Sequence, residues 1–111
     1  MIEQFQEKFN QQFKQPTEIQ EAVAKPLAED KSILGIAPTG SGKTLAFTLP
    51  LLPKIMPGAG TQLLVLAPSQ ELAIQTTRVM REWANIIGVK VLTLTGGANL
   101  RRQVMKLRKH P

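Results

Sequence analysis

The residues best suited to chemistry form a glycine-rich stretch that ends in a lysine and a threonine. An apolar run (33–36) precedes it, and a run of helical character follows from Leu45. In a phosphate-binding loop, glycines let backbone N–H groups face phosphate oxygens, lysine reaches the outer phosphates, and the threonine hydroxyl ligates Mg²⁺. The stretch consists of Ala37, Pro38, Thr39, Gly40, Ser41, Gly42, Lys43 and Thr44. It predicts a phosphate-binding loop for a nucleotide with Mg²⁺.

One position departs from the usual phosphate-loop pattern, which begins with glycine, because Ala37 stands there. The alternative interpretation is a glycine-rich turn that ends a strand and happens to precede a lysine. The triplet Gly42-Lys43-Thr44 between a strand and a helix favours the phosphate-binding interpretation.

A length of 111 residues limits the chain to one domain at most. An apolar fraction of 42% is enough for a core. The absence of cysteine excludes disulfides and thiolate metal sites. The start lacks the order of a signal peptide, and no apolar run approaches about 18 residues, so we expect a cytoplasmic protein without a membrane span.

The positive charge is concentrated in the second half of the chain. Residues 1–50 carry a net charge of −1, and residues 51–111 carry +7. Residues 101–111 hold five basic side chains and no acid. This asymmetry is compatible with a polyanionic partner such as nucleic acid, and equally with a solvated helix face or with acids beyond this chain.

The spacing of apolar and turn residues predicts alternating helices and strands. Helices are expected over 2–14, from Thr17, over 44–49, from Ser69 to about Ile87, and after Asn99, whereas 33–37, 63–67 and 89–95 are predicted as buried strands. Thr17 and Gln20 form a capping-box pattern. Such alternation gives a parallel sheet whose ligands lie beyond the carboxyl ends of the strands. The segments 37–44, 68–71 and 95–97 are therefore expected along one edge.

Four clusters in this order resemble motifs of the DEAD-box ATP-dependent RNA helicases. Residues 13–20 are similar to the family's Q motif, and 37–44 to its motif I, in which a first alanine is normal. Residues 68–75 resemble motif Ia, and 95–97 resemble the glycine doublet that follows it. The resemblance implies that 1–111 is the N-terminal portion of a helicase ATP-binding domain. The implied fold is α/β: an incomplete RecA-like parallel sheet of the P-loop NTPase class, with flanking helices.

The resemblance assigns a role to each matching residue. Gln20 would read adenine, in addition to its capping role, and the loop from Ala37 to Thr44 would hold ATP. Lys43 and Thr44 would be the catalytic contacts, with Thr44 on Mg²⁺. The residues implied to contact the RNA backbone without regard to sequence are Pro68, Ser69, Gln70, Glu71, Gly96 and Gly97. The alternative for Ser69 and the glycine doublet is a plain helix cap and a plain turn.

Other features depart from the family pattern. Gln70 stands where arginine is usual, and the upstream aromatic that stacks on adenine in the family is either replaced by Phe5 or missing. The acids after residue 51 are Glu71 and Glu82, so there is no Walker B carboxylate, and a second RecA-like domain is missing. The resemblance implies an ATP-dependent RNA helicase without an obligate protein partner, although this chain alone is expected to be inactive. The alternatives are another P-loop NTPase, or a non-catalytic basic module that binds nucleic acid.

Overall fold

The structure is a computed structural model that describes residues 1–97, 99–109 and 111. Its helices are α1 (Glu3–Gln12), α2 (Glu18–Ala28), α3 (Lys43–Leu51), α4 (Gln70–Ala84) and α5 (Leu100–Leu107). Short 3-10 helices extend α3 and α4 at Leu52–Lys54 and Asn85–Ile87. Contacts divide the chain into two compact units, Met1–Lys54 and Ile55–Pro111.

The core of the first unit is aromatic and aliphatic. Phe5 and Phe9 of α1 are buried, and the Phe9 ring lies 4.8 Å from that of the more exposed Phe13. Phe5 and Phe9, four positions apart, thus share the buried face of α1. Helices α2 and α3 pack against each other, and the buried residues they contribute are Gln20, Val23, Leu45, Ala46, Thr48 and Leu49.

The start of α2 confirms the capping box. The Thr17 hydroxyl accepts a hydrogen bond from the Gln20 backbone N–H, and the Gln20 side chain accepts one from the Thr17 N–H. Pro26 lies inside α2, two residues before its end at Ala28. Helix α3 likewise contains Pro50 and then tightens into a 3-10 turn, because proline removes a hydrogen-bond donor.

Helix α4 begins as predicted. The Ser69 hydroxyl accepts a hydrogen bond from the Leu72 N–H, and Gly88 ends the 3-10 extension in the left-handed conformation. Of the large apolar residues in α4 and its extension, Trp83 is buried, whereas Leu72 and Ile86 are partly exposed. Thr77, Met80 and Ala84 lie inside instead.

The segment 89–95 lies along α4 and is held there by side chains. The Arg81 guanidinium donates to the Val91 carbonyl at 2.8 Å, and Thr93 donates to the Thr77 hydroxyl. Thr77 in turn donates to the Ala73 carbonyl, one turn back in the helix, at 2.8 Å. Val89 is buried and the Thr93 hydroxyl faces α4, whereas Lys90 and Leu94 are exposed, so the segment has a covered side and an open side.

The prediction of three strands is wrong for the described residues, none of which lies in a strand. Leu34 and Ile36 are 87% and 85% exposed, and Leu64 and Leu66 are 79% and 85% exposed. Between the first pair, Gly35 lies 3.4 Å from the Ile19 side chain, measured from a Cβ built on the glycine. One face of that segment is covered and the other is open. A strand exists only where a neighbour pairs its backbone, and these segments have none in the part of the chain described.

Helix α5 is capped as predicted, because the Asn99 side chain accepts a hydrogen bond from the Arg102 N–H at 3.0 Å. Its apolar face, comprising Leu100, Val104 and Leu107, lines a shallow groove with Leu94 and Thr95. Gln103 also lies on this groove and accepts a hydrogen bond from the Thr95 N–H at 2.7 Å. This bond places the start of the glycine turn against the helix.

Candidate functional site

The glycine-rich loop adopts the conformation that its glycines permit. Gly40 and Gly42 have φ values of 81° and 82°, in the left-handed region that favours glycine. Between them, the Ser41 N–H donates to the Pro38 carbonyl at 3.3 Å. Pro38, Thr39 and Gly40 are exposed, whereas Ala37 is half-buried. The loop is therefore a tight turn with an open outer surface.

The helix that follows the loop has no side-chain cap. Gly42 is its N-cap and supplies no side-chain hydrogen bond, in contrast to Thr17, Ser69 and Asn99 at α2, α4 and α5. Lys43, the first residue of α3, is exposed, and Thr44 is half-buried. The first N–H groups of α3 are thus left for an external acceptor, and the helix dipole favours an anion.

The Ser41 hydroxyl, which is buried in the loop, is also compatible with a bound nucleotide. The Ser41 Oγ is buried and has no hydrogen-bond partner. A buried polar group without a partner is costly, and an acceptor or cation supplied by a ligand would relieve that cost. These features fit a bound phosphate chain, with Thr44 as the candidate ligand for Mg²⁺.

Gln20 joins the glycine-rich loop to the start of α2. Its Nε2 donates to the Gly42 carbonyl at 3.2 Å, and its Oε1 accepts from the Thr17 N–H at 3.0 Å. A Cβ built on Gly42 would lie 2.4 Å from the Gln20 Nε2 and 3.2 Å from the Thr17 Oγ1. Gly42 thus needs to be glycine for two reasons, its φ and this close approach. Phe5 is fully buried, so its ring is not exposed to stack on a base.

The second unit brings motif Ia and the glycine doublet together. Pro68, Ser69 and Glu71 are exposed at the start of α4, where Glu71 lies in the first turn. Gly96 and Gly97 form the predicted turn. The amide of Gln70 lies against this turn, since a Cβ built on Gly97 would be 2.7 Å from the Gln70 Oε1. Gln70 and the glycine turn, which are 26 to 27 positions apart in the sequence, therefore share one surface.

Sequence reasoning missed the proximity of Thr17 to the loop and the contact between Gln20 and Gly42. Thr17 was predicted as a helix cap, yet its hydroxyl also lies close to the loop. The two partners are 22 residues apart, and no periodicity or spacing rule links such positions. The capping-box pattern was the available signal, because it placed the Gln20 side chain at the start of the helix.

The loop, its left-handed glycines and the uncapped helix are typical of the P-loop class of proteins. Comparison with known families matches residues 17–111 to the DEAD/DEAH box helicase family. The chain belongs to this family.

Curated relatives come from the same family. The chain is 42% identical over 100 residues to the probable ATP-dependent RNA helicase YfmL of Bacillus subtilis, covering 89% of this chain and 27% of that protein. It is equally similar over 100 residues to the DEAD-box ATP-dependent RNA helicase CshC of Bacillus cereus, with 42% identity, 89% of this chain and 26% of the relative. The chain thus spans about a quarter of the length of these relatives.

A solved structure has a fold similar to that of this chain. The crystal structure of the RNA helicase Prp28 from Chaetomium thermophilum, bound to ADP, matches with a TM-score of 0.79 at 36% identity, over 90% of this chain and 26% of that one. The predicted RecA-like class is supported by this match, although the sheet itself is not formed in the described residues. No helix among those residues is long and apolar enough to cross a membrane.

Proposed function

We propose that residues 1–111 are the N-terminal portion of the ATP-binding, RecA-like domain of a DEAD-box RNA helicase. The complete protein would use ATP binding and hydrolysis to remodel or unwind RNA. The observation that carries this proposal is the loop itself, in which two left-handed glycines lead into a helix that no side chain caps. The relatives named as ATP-dependent RNA helicases support the same reading.

In this proposal Lys43 holds the outer phosphates and Thr44 ligates Mg²⁺, while the loop N–H groups surround the phosphate oxygens. Gln20 reads the edge of adenine. Bound Mg²⁺ would offset the charge that develops on the transferring phosphate. Hydrolysis also needs a carboxylate and a second domain, so this chain by itself is proposed to bind nucleotide without hydrolysing it.

RNA would lie along the exposed start of α4 and the glycine turn in the second unit. The motif Ia residues 68–71 and the doublet 96–97 would contact phosphates through backbone N–H groups, independently of sequence. Gln70 brings no charge to this path, unlike the family's arginine, and instead lies against the glycine turn.

The first test is binding of Mg-ATP to the intact chain by calorimetry, with Lys43→Ala as the variant. Loss of one charge-assisted contact to phosphate should weaken binding roughly ten- to hundred-fold. Lys90→Ala is the charge-matched control, because Lys90 is exposed in the other unit. Equal affinities for the wild type and Lys43→Ala would contradict the assigned phosphate role.

A second candidate is a non-catalytic basic module that binds nucleic acid. It is favoured by the exposed basic side chains of 101–109, which are Arg101, Arg102, Lys106, Arg108 and Lys109. The intact mass of the native gene product separates the two proposals. A mass well above 12.2 kDa supports a longer helicase, which should show RNA-stimulated ATPase activity that Lys43→Ala removes. A mass near 12.2 kDa, with RNA binding indifferent to ATP, supports the module.

A further inference from the structure

Helix α5 has an apolar side that the second unit covers only in part. Leu100, Val104 and Leu107 lie at positions i, i+4 and i+7 of the helix, and with Leu94 they line the shallow groove. Leu100 is 74% exposed, and the other three side chains are exposed as well. Four neighbouring apolar side chains therefore form one open surface, which differs from apolar residues scattered singly over a protein.

Basic side chains of the same helix border this apolar surface. Arg101 and Arg108 are seven positions apart and share one side of α5, within about 60° of Val104 around the helix axis. All five basic residues of 101–109 are exposed, and no acid stands among them. The acids of 55–111 are Glu71 and Glu82. The surface thus combines exposed leucines with positive charge that outnumbers the acids of its unit.

A lipid surface with anionic headgroups matches both properties. Long arginine and lysine side chains can bind headgroup phosphates while neighbouring apolar side chains enter the boundary of the acyl chains. An amphipathic helix with a strongly basic polar face lies in the plane of such an interface and does not cross it. Helix α5 has this distribution of residues, with its apolar side at Leu100, Val104 and Leu107.

Two other partners match the surface less well. Single-stranded RNA would use the positive charges, but its bases bind by stacking on aromatic side chains. The one aromatic residue of 55–111 is Trp83, which is 1% exposed. A second copy of the chain would bring two basic surfaces together, which their like charge disfavours. An anionic lipid surface is the partner that uses the leucines and the charges together.

We propose that the apolar side of α5 with Leu94, bordered by Arg101 and Arg108, is a docking surface for membranes that contain anionic phospholipid. Binding is peripheral and reversible, because a single short helix supplies few apolar side chains. This inference does not depend on the glycine-rich loop and goes beyond the proposed nucleotide-binding function.

The experiment measures cosedimentation of the intact chain with phosphatidylcholine vesicles that contain or lack phosphatidylglycerol. We expect binding only to vesicles with phosphatidylglycerol, and weaker binding as salt screens the charges. Arg101→Gln/Arg108→Gln should lower the partition coefficient roughly twenty- to thirty-fold, since each basic residue near the surface contributes about five-fold. Absence of binding by the wild-type chain, or equal binding to both kinds of vesicle, would overturn the inference.

Leu100→Gln and Met105→Gln form a matched pair that tests the apolar side. Both residues belong to α5 and are exposed, by 74% and 63%, but Leu100 lines the groove and Met105 does not. Leu100→Gln should weaken vesicle binding roughly ten-fold, because a leucine no longer enters the acyl boundary, whereas Met105→Gln should change it little. Circular dichroism checks that both variants stay folded. Equal binding by the two variants would overturn the assigned role of the apolar side.

Two further outcomes would assign the surface to another partner and overturn the inference. One is binding of a single-stranded RNA that depends on Arg101 and Arg108 but not on Leu100, in the absence of vesicle binding. The other is a dimer in sedimentation velocity that Leu100→Gln dissociates, which would identify a second copy of the chain as the occupant.

Discussion

The Gln70 side chain lies directly against the backbone of Gly97. A Cβ built on Gly97 would be 2.7 Å from the Gln70 Oε1 and 3.0 Å from its Nε2. The two residues belong to separate motifs, yet they form one surface at the start of α4. Gln70 stands where the family usually has arginine, so in this chain a neutral amide rather than a guanidinium packs on the glycine turn.

Gly97→Ala should displace Gln70 with little cost to stability. Gly97 does not have a positive φ, and the atoms that a methyl group would meet are the far end of an exposed side chain. We expect a decrease in the free energy of unfolding of about 1 kcal/mol or less. In a Gln70→Ala background the same change should cost nothing, and thermal melts of the four proteins give the coupling. Identical losses of stability in both backgrounds would show that the contact between Gln70 and Gly97 contributes nothing to stability.

Gly42→Ala and Gly40→Ala form a matched pair. Both glycines have nearly the same positive φ, but a methyl group at position 40 meets nothing within 4 Å, whereas at 42 it meets Gln20 and Thr17. Gly40→Ala should cost about 1 kcal/mol of backbone strain. Gly42→Ala should cost roughly 1–3 kcal/mol more, from overpacking against the cap. Chemical denaturation measures both, and equal values would argue against the close approach.

Thr48→Val should leave the stability unchanged or raise it. Thr48 is fully buried, and its hydroxyl has no hydrogen-bond partner. Removing an unpaired buried hydroxyl while keeping the side-chain shape relieves a desolvation cost of about 1 kcal/mol. Thr77→Val is the control, since that buried hydroxyl contacts Ala73 and Thr93, and its loss should cost about 1–3 kcal/mol. A large destabilisation by Thr48→Val would reveal a partner for its hydroxyl.

If the basic segment 101–109 binds RNA, as the second candidate function requires, that binding should depend strongly on salt. The triple variant Arg101→Ala/Arg108→Ala/Lys109→Ala removes three exposed charges. If all three contact phosphates, the slope of log K against log salt for a single strand should become shallower by roughly 2. The control is Lys25→Ala/Lys31→Ala. Both lysines lie in the first unit, where they contact Glu29. Titration by fluorescence anisotropy at several salt concentrations measures the slopes, and an unchanged slope places the RNA elsewhere.

Much of the chain could be predicted from the sequence because the relevant interactions are local. The capping box at Thr17 and the caps at Ser69 and Asn99 each involve residues three positions apart. Left-handed Gly40 and Gly42 follow from the loop pattern in the same way. Short-range hydrogen bonds and backbone preferences are encoded in a few neighbouring residues, so a reader of the sequence can find them.

The tertiary structure decided what depends on distant partners. The apolar segments around Leu34 and Leu64 have the composition of buried strands. They form no strand among the described residues, because a strand requires backbone hydrogen bonds to a neighbouring segment. The contacts from Gln20 to Gly42 and from Gln70 to Gly97 each join positions more than 20 residues apart. The sequence by itself determined the caps and the turn of the glycine-rich loop, while only the folded chain determined which side chains support them, since a long-range contact depends on how distant parts of the chain are arranged.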